Sequence, residues 1–444
     1  MQTKIFRYLL AVPVFMLAGL VACRKEDNLD KELIMGDTWA KTELDNWLLE
    51  TFTKPYNIEV KYRWDATESD LSYTMVPPSL DKVRPIMEVV KQAWIDVYAA
   101  EAGEAFVKQL APKQYMLVGS LRYNATTVTL GEAEGGNKVV LLGVDAFKKT
   151  DRDMVKRVLK TIHHEFTHIL NQKTMFPIEF KKVTPGLYTG TWNQVALADA
   201  RSQGFITSYA MADPMEDFAE MTSIMITEGK AGFDAIVNAQ SGAAQLLLRL
   251  KEDMVATYFK QVWNIDIYSL QARVQTAIND ISPVNMGTLL GFGKTYTSIL
   301  TTPAGIDTLS AAFKTAYTTA KNNLYTNASG RTLDAVYLQF FKADSASLRV
   351  TYINASNVTY QSYFGYGAAY DNAGNVTLTF KGNLTNTNSN SNTVGPYITA
   401  LTSYFNGQYK MDWKNGKMTT VAPYLGGIYK VSDPASYFVG VLGN

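Results

Sequence analysis

Cysteine occurs once in the 444 residues, at Cys23, and histidine only three times, at His163, His164 and His168. A single Cys excludes a disulfide framework and any Cys-based metal site. Long apolar runs are missing too. Leu9–Ala22 is the longest near the start, and it is too short to span a membrane comfortably. No charge sign dominates: 42 Lys and Arg face 41 Asp and Glu, a formal net charge of +1. A chain so balanced has no overall attraction to nucleic acid, and no nucleic-acid partner is expected. Glutamate disappears after Glu252, which marks a shift in composition between the two halves. What is present is an ordinary globular balance, 47% apolar and 19% charged, in a length that suits two or three domains.

The first 22 residues read as a targeting segment. Lys4 and Arg7 precede the apolar run, which ends Leu20-Val21-Ala22-Cys23. That ending resembles the lipobox of bacterial lipoproteins, which implies cleavage before Cys23 and lipidation of its thiol. Residues 23–45 are polar and read as a tether. Within it, Arg24-Lys25-Glu26-Asp27 resembles the surface-export signal of some Gram-negative lipoproteins. With no second long apolar run, the membrane attachment expected is the lipid alone.

Residues 46–290 read as an α+β domain. Val83, Ile86, Val89, Val90, Ala93 and Val97 form a helical stripe. Met116–Val118 and Val139–Leu142 are short strand-like runs, with turn-like residues 134–137 between them. A strong amphipathic helix is predicted over residues 153–172, with Val155, Val158, Leu159, Ile162, Phe166, Ile169 and Leu170 inward. A helical connection follows around residues 242–325. Residues 300–444 read as a β-rich domain of unknown role. Val376–Phe380 alternates cleanly, Ala335–Phe340 and Leu348–Ile353 are strand-like, and Lys414–Lys417 signals a hairpin. Residues 301–444 also hold 14 of the 26 Tyr, expected mainly as packing for the β-domain.

The scarce histidines sit in the strong helix, as His164-Glu165-Phe166-Thr167-His168. Spacing i, i+4 puts two imidazoles one turn apart on one face, able to grip one ion. Glu165 between them suits a base that takes a proton from an attacking water. His163 points about a quarter turn away and reads as a helix-surface residue, or one behind the ligands, rather than a ligand. A catalytic Zn²⁺ needs a third protein ligand and an open position. No histidine remains, so that ligand must be a carboxylate. Glu216 and Glu220, also i, i+4, are the downstream candidates. Asp213-Pro214-Met215-Glu216 also reads as a capping box, in which Glu216 would serve the helix end and Glu220 the metal.

Ser208-Tyr209, a short spacer and Glu216-Asp217-Phe218-Ala219-Glu220 resemble the second motif of the anthrax lethal factor-type zinc peptidases. That resemblance implies His164, His168 and Glu216 as metal ligands and Glu165 as general base. It also implies Tyr209 as donor to the developing oxyanion and Glu220 as an acid behind the ligands. Over roughly residues 1–290 the chain also resembles the zinc metallohydrolase lipoproteins associated with TonB-dependent substrate import, a gluzincin-like group. The expectation is therefore an α+β, zincin-like metallopeptidase followed by a β-rich domain. It would be anchored through Cys23 at the outer membrane, and exposed at the surface. Its partners would be a peptide or protein substrate and components of an importer. The alternative is a surface binding or adhesion lipoprotein, with glycan or an importer as partner and a silent or structural zinc site.

Overall fold

The structure, a computed structural model, describes residues 41–64, 68, 73–123, 128–129, 131–134, 137–371, 373–384, 390–418 and 422–444. The targeting segment, Cys23 and all of the tether before residue 41 lie outside the described residues. Residues 1–49 form a unit of their own. Its described part is helix α1, Glu43–Leu48, where Thr42 and Asp45 bond each other's backbone in a capping box.

In residues 50–444, a small mixed sheet comes first. Its strands are β1 (Glu59–Lys61), β2 (Gln114–Leu117), β3 (Gly131–Glu134) and β4 (Lys138–Leu141), in the order β1-β2-β4-β3. The first three in that order run parallel, and β3 returns antiparallel to β4. Val139–Leu142, read as a strand-like run, supplies most of β4. That strand is internal, with β3 on the sheet edge beside it. An unbroken apolar run fits a strand covered on both faces, as in parallel sheets.

Helix α2 (Leu80–Val90) continues through a wider turn into α3 (Asp96–Ala102), and its predicted stripe from Val83 to Val97 is buried. Helix α4 (Arg152–Lys173) is the long amphipathic helix, capped by Asp151, which accepts from the backbone of Asp153 and Met154. Its predicted inward residues are buried except Val158, which is half-buried. Helices α5 (Pro214–Asn238), α6 (Gly242–Trp263) and α7 (Ile267–Ile281) pack behind it. Among the described residues no helix is long and apolar enough to cross a membrane.

Helix α5 breaks at Gly229, whose φ of 71° and ψ of 172° lie in territory that only glycine occupies readily. The carbonyls freed there are served from α7. Gln271 donates to Met225, and Gln275 to Ile226 and Thr227. A Cβ at position 229 would come within 2.8 Å of the Gln275 side chain. Gly229→Ala is therefore expected to cost ~2–3 kcal/mol, since strain adds to the lost amide contacts. The check is the urea midpoint at unchanged slope. A loss under about 0.5 kcal/mol would contradict it.

The chain then closes an eight-stranded antiparallel barrel. The helical connection expected around residues 242–325 contains its first strand, β5 (Ser298–Thr301). After helix α8 (Ala311–Asn327) come β6 (Thr332–Lys342), β7 (Ser345–Ile353), β8 (Thr359–Tyr370) and β9 (Asn375–Leu384). Helix α9 (Thr399–Tyr404), β10 (Gly407–Trp413), β11 (Leu425–Lys430) and β12 (Tyr437–Gly443) complete it. Each strand pairs with the next, and β12 closes on β5. Full closure leaves no exposed sheet edge. Phe313 of α8 packs edge-on to Tyr404 and Phe405 and against Phe438. Tyr317, Tyr352, Tyr366, Tyr404 and Tyr409 are buried in the same core, so much of the tyrosine excess is packing. Trp413 Nε1 donates to the Val284 carbonyl at 2.6 Å, tying the barrel to the segment after α7. The architecture is thus α+β: a helical region with a mixed sheet, followed by a β-barrel.

Candidate metal centre

Helix α4 carries His164 and His168 one turn apart, and α5 packs across it. Asp213 caps α5 by accepting from the backbone of Met215 and Glu216, with Pro214 in the first turn. The cap leaves the Glu216 carboxylate to face the histidines. Its Oε2 lies 2.9 Å from His164 Nε2 and 3.4 Å from His168 Nε2, and the two nitrogens are 3.1 Å apart. The donor atoms of all three residues lie within 4.8 Å of one another.

Bonds of ~2.0–2.1 Å at tetrahedral angles set neighbouring zinc donors ~3.3 Å apart. The three measured edges surround that value. Two imidazole nitrogens and a carboxylate oxygen also match the donor set of a three-ligand zinc site with one position left open. The residues present therefore fit Zn²⁺.

Glu220, one turn further along α5, sits elsewhere. It is buried, and its Oε1 lies 2.9 Å from the other ring nitrogen of His164, in ionic contact but outside the hydrogen-bond direction. Lys160 Nζ approaches the same oxygen at 2.7 Å, and Thr207 donates to Oε2 at 2.6 Å. Burial pushes the Glu220 carboxyl up, but His164 and Lys160 outweigh it and hold it at about 2. Burial likewise opposes charge on His164, yet Glu216 and Glu220 on its two sides push it up to about 9. Glu216 is held well below the usual carboxylate range, because the two histidines outweigh its partial burial. Such concentrated negative charge around two imidazoles favours a divalent cation.

Glu165 is buried beside His164, and its charge acts on both His164 and Tyr209. Tyr209 stacks on the His164 ring with centroids 5.8 Å apart, and Trp192 meets the Tyr209 ring edge-on at 4.8 Å. Burial, then the charge of Glu216 and a hydrogen bond to it, push the Tyr209 hydroxyl far above its ordinary range. It therefore stays protonated and able to donate. His163 faces the core. It is fully buried, with Nδ1 3.3 Å from the Tyr98 hydroxyl, and desolvation holds its ring neutral down to about 3.

The structure thus gathers His164, Glu165, His168, Tyr209, Glu216 and Glu220, while Cys23 lies outside the described residues. Sequence reasoning missed Lys160, Thr207 and Trp192. Thr207 lies two residues before Tyr209, but nothing local marks Lys160 or Trp192 as partners of residues far along the chain.

The model of a family described as "Putative zinc-binding metallo-peptidase" matches residues 37–268, just over half the chain. A crystal structure of "a putative zinc-binding metallo-peptidase" from Bacteroides caccae is 34% identical. The match covers 55% of this chain and 96% of that one, at a TM-score of 0.49. No curated protein matches the chain. The matched segment contains both the H-E-x-x-H helix and the helix that brings Glu216 to it, and the chain belongs to this zinc-binding metallo-peptidase family.

Proposed function

We propose that the chain is a zinc-dependent peptidase in which His164, His168 and Glu216 hold the metal. The observation that carries this reading is the three-donor triangle with Glu165 and Tyr209 beside it. Bound Zn²⁺ supplies Lewis acidity, which polarises a carbonyl and acidifies water. Glu165 takes the proton of the attacking water as its oxygen bonds to the scissile carbonyl carbon. The carbonyl π electrons move onto oxygen, and the Tyr209 hydroxyl donates to that developing charge. Glu165 then returns the proton to the amide nitrogen as the carbon–nitrogen bond breaks. Glu220, clamped by Lys160 and Thr207, fixes the ring orientation of His164 from behind. A structural zinc is usually closed by four protein ligands. The described residues converge three donors, which supports catalysis over a silent site.

In this reading the protein is anchored through lipidated Cys23 at the bacterial outer membrane, outward facing, and trims peptide or protein substrates beside a TonB-dependent importer. The support is the Leu20–Cys23 lipobox, the charged residues after it and the family resemblance over residues 1–290. The test is hydrolysis of a mixed peptide library by the form beginning after Cys23. Activity is expected to vanish with a zinc chelator and return with added Zn²⁺. Cleavage that survives full removal of the metal would overturn the reading.

A further inference from the structure

A pocket lies beside α4, with a volume of about 510 Å³ when the open space at its mouth is counted. Met154, Arg157, Val158 and Thr161 line it from α4. Leu141, Leu142 and Phe147 face them from the end of β4 and the turn beyond. The α4 residues are not scattered. Met154, Val158, Thr161 and Glu165 follow one another at helical spacing, as do Arg157, Thr161, His164 and His168. The pocket and the metal centre therefore share one continuous strip of helix surface. Thr161 stands one turn, ~6 Å, before Glu165. Successive residues of an extended peptide advance ~3.3–3.6 Å, so that gap is spanned within two residues of a bond held at Glu165.

This placement explains Val158. It belongs to the apolar periodicity of α4 yet is only half-buried, because its outer side faces the pocket rather than the core. The mouth is marked by Ala146 and Arg157, both exposed. The one ionised group on the lining is the Arg157 guanidinium, which makes no ion pair among the described residues. Its charge repels Lys and Arg side chains, and the remaining side chains of the lining are apolar apart from Thr161, whose hydroxyl donates to the Arg157 carbonyl.

We propose that this pocket selects the substrate of the peptidase: it receives a bulky apolar side chain, Leu, Met or Phe, within two residues of the scissile bond, and Arg157 rejects basic side chains there. The inference rests on the peptidase reading for its outcome in catalysis, but binding tests it separately. Peptides Ala-Ala-X-Ala, with X as Leu, Phe or Lys, would be titrated into the zinc-loaded Glu165→Gln protein. The Leu and Phe peptides are expected to bind about tenfold or more tighter than Lys. Ala146→Trp, at an exposed rim position, is expected to erase the preference by filling the mouth. Arg157→Glu is expected to narrow the gap by improving Lys binding. Equal binding of all three peptides, or a preference unchanged in Ala146→Trp, would overturn the pocket. Library digestion by the wild type separates the two ideas. Zinc-dependent cleavage without apolar preference removes the pocket and keeps the peptidase. Selective binding without any cleavage keeps the pocket and removes the peptidase.

Discussion

Glu165→Gln is expected to slow peptide hydrolysis by ~10²–10⁴-fold while zinc stays bound. Gln keeps the shape of Glu165 but cannot take a proton, and Glu165 is not among the three residues whose donors converge. Glu216→Ala should behave differently, losing metal and activity together, since it removes one of three donor atoms from the triangle. Glu220→Gln belongs between them. Its oxygen touches the far nitrogen of His164, so the ligand set survives but its orientation and basicity suffer, an effect of ~10–100-fold in metal affinity. Elemental analysis, competition with a chromophoric chelator and single-turnover rates separate the three outcomes. Loss of zinc in Glu220→Gln but not in Glu216→Ala would reverse the assignment of the two carboxylates. Unchanged hydrolysis in Glu165→Gln would remove that residue as the base.

Both glutamates have the spacing of ligands on one helix face, so their different placement is informative. The capping box was a rival use for Glu216. Asp213 alone caps the helix through two backbone bonds, which leaves the Glu216 side chain for the histidines. Glu220 is more deeply buried and reaches His164 from the side away from His168. From there it cannot meet both Nε2 atoms. Helix geometry thus decides between two residues that are chemically identical in the sequence.

The H-E-x-x-H pair was legible because its geometry is local. Four residues along an amphipathic helix fix where two side chains point, whatever the rest of the chain does. The strand β9 was legible for the same reason, through the alternation of Val376–Phe380. What failed depends on pairing at a distance. Gly131–Glu134 has little strand propensity, yet it forms the edge of the mixed sheet because β4 offers it a partner. Ser298–Thr301 is four residues within a helical stretch, and it becomes a strand only by pairing with β12 and β6. Lys160 reads as a solvated helix lysine until Glu220, 60 residues later, is folded against it. Closure of the barrel and the partners of the metal site share this character.

Lys251→Met is expected to destabilise the protein by ~3–5 kcal/mol at pH 8. Lys251 Nζ and Asp217 Oδ2 are 2.6 Å apart, and both side chains are wholly buried. The ammonium also donates to the Gly204 carbonyl at 2.9 Å and lies 4.0 Å over the Phe205 ring, while Asp217 accepts from Tyr188 at 2.9 Å. Removing the lysine strands a carboxylate without its counter-charge in a low-dielectric site. Burial already pushes Asp217 up to about 6, against the pull of Lys251, and without Lys251 it rises further. The sign of the pH dependence follows from that. A folded-state value above the unfolded value of 3.8 means the folded form holds the proton more tightly. The penalty is then absent below the unfolded value. It grows by about 1.4 kcal/mol per pH unit as pH rises toward the folded one. The variant should therefore be closer to wild type at pH 5 than at pH 8, by urea unfolding of the metal-free protein. Lys251→Met combined with Asp217→Leu should recover most of the loss, because an apolar pair leaves no buried charge. A cost below about 1 kcal/mol at pH 8, with no change between the two pH values, would mean the pair contributes little. Asp217 follows Glu216 directly on α5, so the buried ion pair anchors the helix next to the carboxylate that faces His164 and His168.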